Sequence, residues 1–472
     1  RQIFILTFIF GVYMKNKNSK LILFFLAVFV FSTQSFAQEN SSATSEKMIL
    51  TVEEAVNYAK ENSRTLKSAN IDLQIKKRAK NFSWNVLVPS VQATGTMSRS
   101  NEYSNSMDSI ISMINPMYKP TEPEPSDYWK AVGGINASLN LSVALIDGIR
   151  ASFTNYEAGL ISWEQTYKET ELNIRKMFYA LLLQQESLNL QKTTLANAKN
   201  RFDQAKINFR NGLIPEISLL QTEVTYENQK PMIVKQEQAL KEQLDTFAFL
   251  LGIPQGTEIE LSGEITPEFV DLNPEELYQK YMENNLEISL FKKNLELMKI
   301  QQSAQNLQIY TPAISLSYGW QPVLSDVTAD WGDKDNWFDG GSFSATLVWN
   351  ITNMLPFSSA SLKARDLKDN IAQMNLNLIS LEENAKMKIN NLVNVLNQSK
   401  AAIESSNRNI SLAQKSYDMT SIAYRNGTTE LLDVREAETQ LNQAKLALAS
   451  EKFNYLSGLL DLEFAINTKL TK

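Results

Sequence analysis

The strongest constraint on this chain is that it is written twice. Val52-Glu53-Glu54-Ala55, with Asn62 further on, returns as Pro274-Glu275-Glu276-Leu277 with Asn284. Val88-Pro89-Ser90-Val91 returns as Thr311-Pro312-Ala313-Ile314, and Phe209-Arg210-Asn211-Gly212 as Tyr424-Arg425-Asn426-Gly427. The offset is 222 residues at the first pair and 215 at the last, far above the roughly 20–50 residues of a solenoid unit. This is therefore a duplicated domain, residues 38–271 and 272–472, and each copy builds half of a pseudo-symmetric protomer.

Within each copy the pattern reads helix, strand, strand, long helix, tip, helix. Strands are expected at about 90–99, 130–146, 312–322 and 341–351, because apolar and polar residues alternate there with period two. Val91, Ala93, Gly95 and Met97 oppose Gln92, Thr94, Thr96 and Ser98; Ile135, Ala137, Leu139, Leu141 and Val143 oppose Asn136, Ser138, Asn140 and Ser142. In the second copy Ile314, Leu316, Tyr318 and Trp320, then Phe343, Ala345, Leu347 and Trp349, make the apolar sides. Trp320 and Trp349 suit the aromatic girdle of a membrane barrel. The polar stretches 100–129 and 323–339 read as loops at one end, and short polar helices near 53–62 and 275–284 as a belt around the middle.

Two coiled-coil hairpins are expected, at about 148–251 and 357–464. Ile174, Leu181, Leu188, Leu195, Phe202 and Phe209 fall seven apart, in phase with Ile389, Leu396, Ile403, Ile410, Tyr417 and Tyr424. Beyond each glycine tip, Leu219, Tyr226, Ile233, Leu240 and Phe247 match Val434, Leu441, Leu448, Tyr455 and Leu462. Heptad stripes on two segments joined by a short turn give an antiparallel hairpin. Pro231 interrupts the first return helix and predicts a kink there. Gly148 to Phe209 is 62 residues, which as one helix runs about 93 Å. Four strands leave two open edges that lipid does not tolerate, and the smallest membrane barrels have about eight strands. Such a chain closes only as a symmetric oligomer. A dimer and a trimer both allow closure.

Composition narrows the function. The chain has no histidine and no cysteine, which removes Ser-His-Asp triads, Cys-His pairs, disulfides and nearly every zinc site. A formal net charge of −6 is a poor match to nucleic acid. Met14 to Lys20 is basic, Leu21 to Phe31 wholly apolar, and Ser35-Phe36-Ala37 offers a signal-peptidase site. Residues 14–37 are thus expected to be a signal peptide, with residues 1–13 an artefact of start-site choice. A coiled-coil surface protein or adhesin would explain the heptads, but not the duplication or the four amphipathic strands.

In this order the motifs resemble the TolC family of outer-membrane efflux proteins, over about Ile49 to Asn467. Leu145-Ile146-Asp147-Gly148 leads from strand to long helix, and Tyr424-Arg425-Asn426-Gly427-Thr428-Thr429-Glu430-Leu431-Leu432-Asp433-Val434 looks like the family's tip-and-gate segment. The resemblance implies an α+β membrane protein: a homotrimer whose 12-stranded outer-membrane barrel, set in lipid, continues into a periplasmic tube of 12 helices. It implies a periplasmic adaptor and an inner-membrane pump as partners, no cofactor, and no catalysis by the chain itself. Carried over by residue, Arg210, Asn211, Gly212, Leu213 and Ile214, with Arg425, Asn426, Gly427, Thr428 and Thr429, become adaptor-contacting tips. Asp433 and Glu436, three apart on one helix face, become the periplasmic gate; their counterparts Ser218 and Gln221 are uncharged. Thr429 stands where some members carry an arginine, so Tyr424 and Lys452 are the candidates for tying the gate.

Overall fold

The computed structural model describes residues 48–102, 106–119, 122–254, 256–324 and 326–470. The expected signal peptide, 14–37, and the stretch before it lie outside them. The first repeat runs β1 (Met48–Leu50), α1 (Val52–Asn62), α2 (Arg64–Asn81), β2 (Ser90–Arg99), α3 (Ser106–Ile114), β3 (Trp129–Leu141), α4 (Ala144–Arg210), α5 (Glu216–Leu251) and β4 (Ile259–Leu261). The second runs α6 (Pro274–Asn284), α7 (Leu286–Tyr310), β5 (Ala313–Leu324), β6 (Trp337–Val348), α8 (Ser359–Arg425) and α9 (Leu431–Ile466).

The four long strands form one antiparallel sheet in the order β2-β3-β5-β6. Their register turns the alternation in the sequence into two continuous faces. Val91, Ala137, Tyr318 and Phe343 align across the sheet on the apolar face. One residue along, Ser90, Ser138, Ser317 and Ser344 align on the other. Ser90 and Ser138 share a hydrogen bond of 2.8 Å between hydroxyls, and Ser317 and Ser344 one of 2.7 Å. No other strand pairs with the outer edges of β2 and β6 among the described residues. All ten residues of β2 are exposed.

Two strands differ in length from the periodicity. β3 stops at Leu141 because the amides of Leu145 and Ile146 donate to the carbonyls of Ser142 and Val143, which starts α4 early. Val143 therefore belongs to the turn into the helix. β6 starts at Trp337 and ends at Val348, where a 3₁₀ turn over Ile351–Met354 leads into α8.

α4 and α8 each span 67 residues, or about 100 Å. Near the sheet, α4 packs on α2 and α7; towards the tips it packs on α5, while α8 packs on α9. α5 continues through Pro231, so the proline removes one backbone bond without ending the helix. The heptad stripes face these seams and are most buried at the belt: Ile174, Leu181, Ile389, Leu396, Phe247, Tyr455 and Leu462 are buried, whereas Phe209 and Tyr424 at the tips are exposed. Two separate cores result, one around α1, β1 and β4 and one around α6. No helix of the described residues is long and apolar enough to cross a membrane.

Candidate functional site

Both hairpins end in the same turn. Gly212 and Gly427 adopt φ of +71° and +74°, a left-handed backbone that a side chain disfavours. Leu213 N–H reaches the Asn208 carbonyl and Gly212 N–H that of Phe209, each at 2.9 Å. Thr428 N–H to Ala423 and Gly427 N–H to Tyr424 repeat the pattern, each at 3.0 Å. This double bond from the residues past a helix end satisfies its last carbonyls. Around these turns Arg210, Asn211, Leu213, Arg425, Asn426 and Thr428 are exposed, with Ile214 and Thr429 half-buried. A β-carbon at either glycine would meet nothing within 4 Å, so the turns present open surface.

Asp433 sits at the start of α9 and closes a capping box with Glu430. Its carboxylate accepts a hydrogen bond from the Thr429 hydroxyl and another, at 3.2 Å, from the Glu430 amide. Those donors hold the Asp433 carboxyl below its ordinary value, the Thr429 hydroxyl contributing most. Thr429 thus engages the acid that it neighbours. Glu436 is exposed one turn further along the same helix.

The two expected ties do not meet these acids within the protomer. Tyr424 lies in the last turn of α8 at the tip, where its carbonyl accepts from the Gly427 amide. Lys452 lies on α9 five turns from Asp433, about 28 Å along the axis, and lines a cleft together with Lys445, Glu186 and Glu264.

A different residue joins the repeats. Glu438 of α9 is buried and accepts hydrogen bonds from Arg201 at 2.6 Å and Asn197 at 2.7 Å, both on α4. Above them Asn442 donates to Thr194 at 2.9 Å, and at the belt Lys176 pairs with Asp461 at 2.8 Å. Burial, then the charge of Glu438, push the nearby Tyr417 phenol of α8 up. The one local signal for the clasp is a charge set among the stripe residues, since Glu438 falls four residues after Val434 and three before Leu441, but nothing local names its partner Arg201. Also at the belt, Arg175 lies between Glu53 at 2.8 Å and Glu171 at 2.9 Å, and its hydrogen bond holds Glu53 below the usual carboxylate value. No group of three or more acidic residues among those described could hold a metal ion.

Known proteins share this fold. Residues 55–253 match the family described as outer membrane efflux protein. Outer membrane protein TolC of Escherichia coli K12 is 23% identical over 398 residues, covering 76% of this chain and 78% of its own. The CmeC outer membrane channel of Campylobacter jejuni superposes with a TM-score of 0.72 at 15% identity, covering 89% of this chain and 87% of its own. The open-state MtrE outer membrane channel of Neisseria gonorrhoeae superposes with a TM-score of 0.65 at 14% identity, covering 94% and 96%. Duplicated hairpins, a sheet with two open edges among the described residues and these matches lead to one conclusion: the chain is similar to TolC and to other outer-membrane efflux channels.

Proposed function

We propose that three copies of this chain form the outer-membrane exit duct of a tripartite efflux or secretion system, a channel and not an enzyme. The observation that carries this reading is the four-stranded sheet, apolar on one face and polar on the other, with both edges unpaired among the described residues. Four strands from each of three copies close a barrel of twelve, its apolar face to lipid. The serine-rich face then lines the bore, and α4, α5, α8 and α9 continue the wall into the periplasm. An adaptor engages the two tips, and an inner-membrane pump supplies the energy. Asp433 and Glu436 of three protomers gather six carboxylates at the periplasmic mouth, while the Glu438–Arg201 clasp holds the two hairpins of each protomer together at rest. Membrane fractionation with a low-resolution image tests the duct. An outer-membrane trimer with a long hollow tail is expected; a solid fibre or a soluble monomer overturns it.

A further inference from the structure

The two hairpins have the same dimensions. α4 and α8 are 67 residues each, α5 and α9 are 36 each, and the members of both pairs start 215 residues apart. Every face of one hairpin therefore has a counterpart on the other. Within a copy the hairpins meet through α4 and α9, where Glu438 binds Arg201 and Asn197, Asn442 binds Thr194, and Asp461 binds Lys176. The outer flanks are α5 of the first hairpin and α8 of the second. Shifted by 215 residues, these ties set Glu223 against Ser416 and Leu412, Glu227 against Asn409, and Thr246 against Asn391. Every residue of this shifted set is exposed in the single copy. Leu412 and Met419 on α8, 68% and 63% exposed, and Val224 on α5, 57% exposed, add apolar surface to the same flanks. Neither ion pair survives the shift, since Arg201 becomes Ser416, while Lys176 and Asp461 become Asn391 and Thr246. Lys415 is no substitute: its counterpart Asn200 is exposed and makes none of the ties.

We propose that a second copy of the chain covers these flanks. α5 of one copy lies on α8 of the next as α9 lies on α4 within a copy, in a seam with no counterpart of the Glu438–Arg201 clasp. Continuity with the sheet names the occupant. β2 of the first repeat and β6 of the second are its unpaired edges among the described residues, and the outer flanks of the hairpins divide between the repeats in the same way. One heterologous contact repeated by rotation closes a ring, so strand edges and helix flanks find the same neighbour. Around that ring, three seams inside copies carry ion pairs, and three seams between copies carry none at the matching positions. The contact between copies then rests on Leu412, Met419 and Val224, and Glu223 meets a serine where Glu438 meets an arginine. This seam rests on the trimeric reading above, and its test separates the two.

The test supplies the missing clasp. Leu412→Asn with Ser416→Arg gives α8 the side chains that α4 presents to Glu438. The temperature at which the detergent-solubilised trimer dissociates is expected to rise by a few degrees, through a new charge-assisted pair with Glu223. Adding Glu223→Ala should cancel that rise, and Glu223→Ala alone should shift the wild type little. No rise, or a rise that survives Glu223→Ala, overturns the proposal. A second measurement adds no charge. The chain lacks native cysteine, so Glu223→Cys with Ser416→Cys can be bridged by a bifunctional thiol reagent in intact outer membranes, and products that end at the trimer are expected. Crosslinks confined to one copy, crosslinks to a different protein, or no product overturn the seam. A trimer that crosslinks between β2 and β6 but not here contradicts this seam alone, and a chain that never forms a trimer contradicts the duct as well.

Discussion

Glu438 on α9 and Arg201 on α4 make an ion pair of 2.6 Å with side chains 6% and 17% exposed, and each belongs to a different copy of the repeat. Glu438 has little water to fall back on, and Arg201 keeps only partial access to it. Removing one partner strands the other, and breaking a buried pair costs about 3–5 kcal/mol. Glu438→Ala is therefore expected to lower thermal stability and raise resting conductance in planar bilayers. The double change Glu438→Leu with Arg201→Met should recover most of the stability, because no charge is left buried. A stable, wild-type-like Glu438→Ala would remove the clasp from the account.

The sheet predicts an asymmetry between neighbouring residues. Leu139 pairs with Leu316 on the apolar face, whereas Ser138 pairs with Ser317 on the other. An arginine on a lipid face at the midplane costs about 2–4 kcal/mol. Leu139→Arg or Leu347→Arg should reduce trimer yield in the outer membrane, and Ser138→Arg should leave it near normal. Equal yields across the three variants would mean that the faces are assigned the wrong way round.

At the mouth the prediction concerns charge and pH. Crowded carboxylates attract cations, so Asp433→Ala with Glu436→Ala should weaken cation selectivity and block by polyvalent cations from the periplasmic side. Changing Ser218 and Gln221 to alanine should do little. Because the Thr429 hydroxyl and Glu430 amide hold the Asp433 carboxyl low, the cap it makes is present in full above the ordinary aspartate value. The cap is lost only as pH falls through the lower folded one. Thr429→Val removes the larger cause, so its selectivity should fade at a higher pH than that of wild type. Identical pH profiles for the two proteins would show that Thr429 does not control Asp433.

The tips separate folding from partner contact. Gly427 has a left-handed backbone in open space, so any side chain there costs about 1–2 kcal/mol through the backbone alone. Gly212→Trp together with Gly427→Trp should abolish export while the barrel still assembles. Crosslinking that captures a periplasmic adaptor at wild-type levels, with export intact, would take the tips out of the functional surface.

Most of the fold was legible because its signals are local. Period-two and period-seven patterns follow from backbone geometry, so Val91 to Met97 and Ile174 to Phe209 declared a strand face and a helix seam within single stretches. Strand ends were less legible: Val143 continues the alternation of β3, yet helical bonding at Ser142 and Val143 overrides it. The Glu438–Arg201 clasp depends on α9 lying against α4, a packing between repeats that no local period encodes. Asp433 was readable as an acid at a helix start, but its bond from Thr429 needed the turn itself.

The most direct test of the central claim is closure of the sheet between copies. The chain has no native cysteine, so one cysteine at Thr94 of β2 can be paired with single cysteines scanned along β6 and oxidised in intact outer membranes. A narrow set of positions, of one register, is expected to give a crosslinked product that ends at the trimer. A product that stays monomeric at every position, stops at the dimer, or extends without limit would contradict the barrel of three chains.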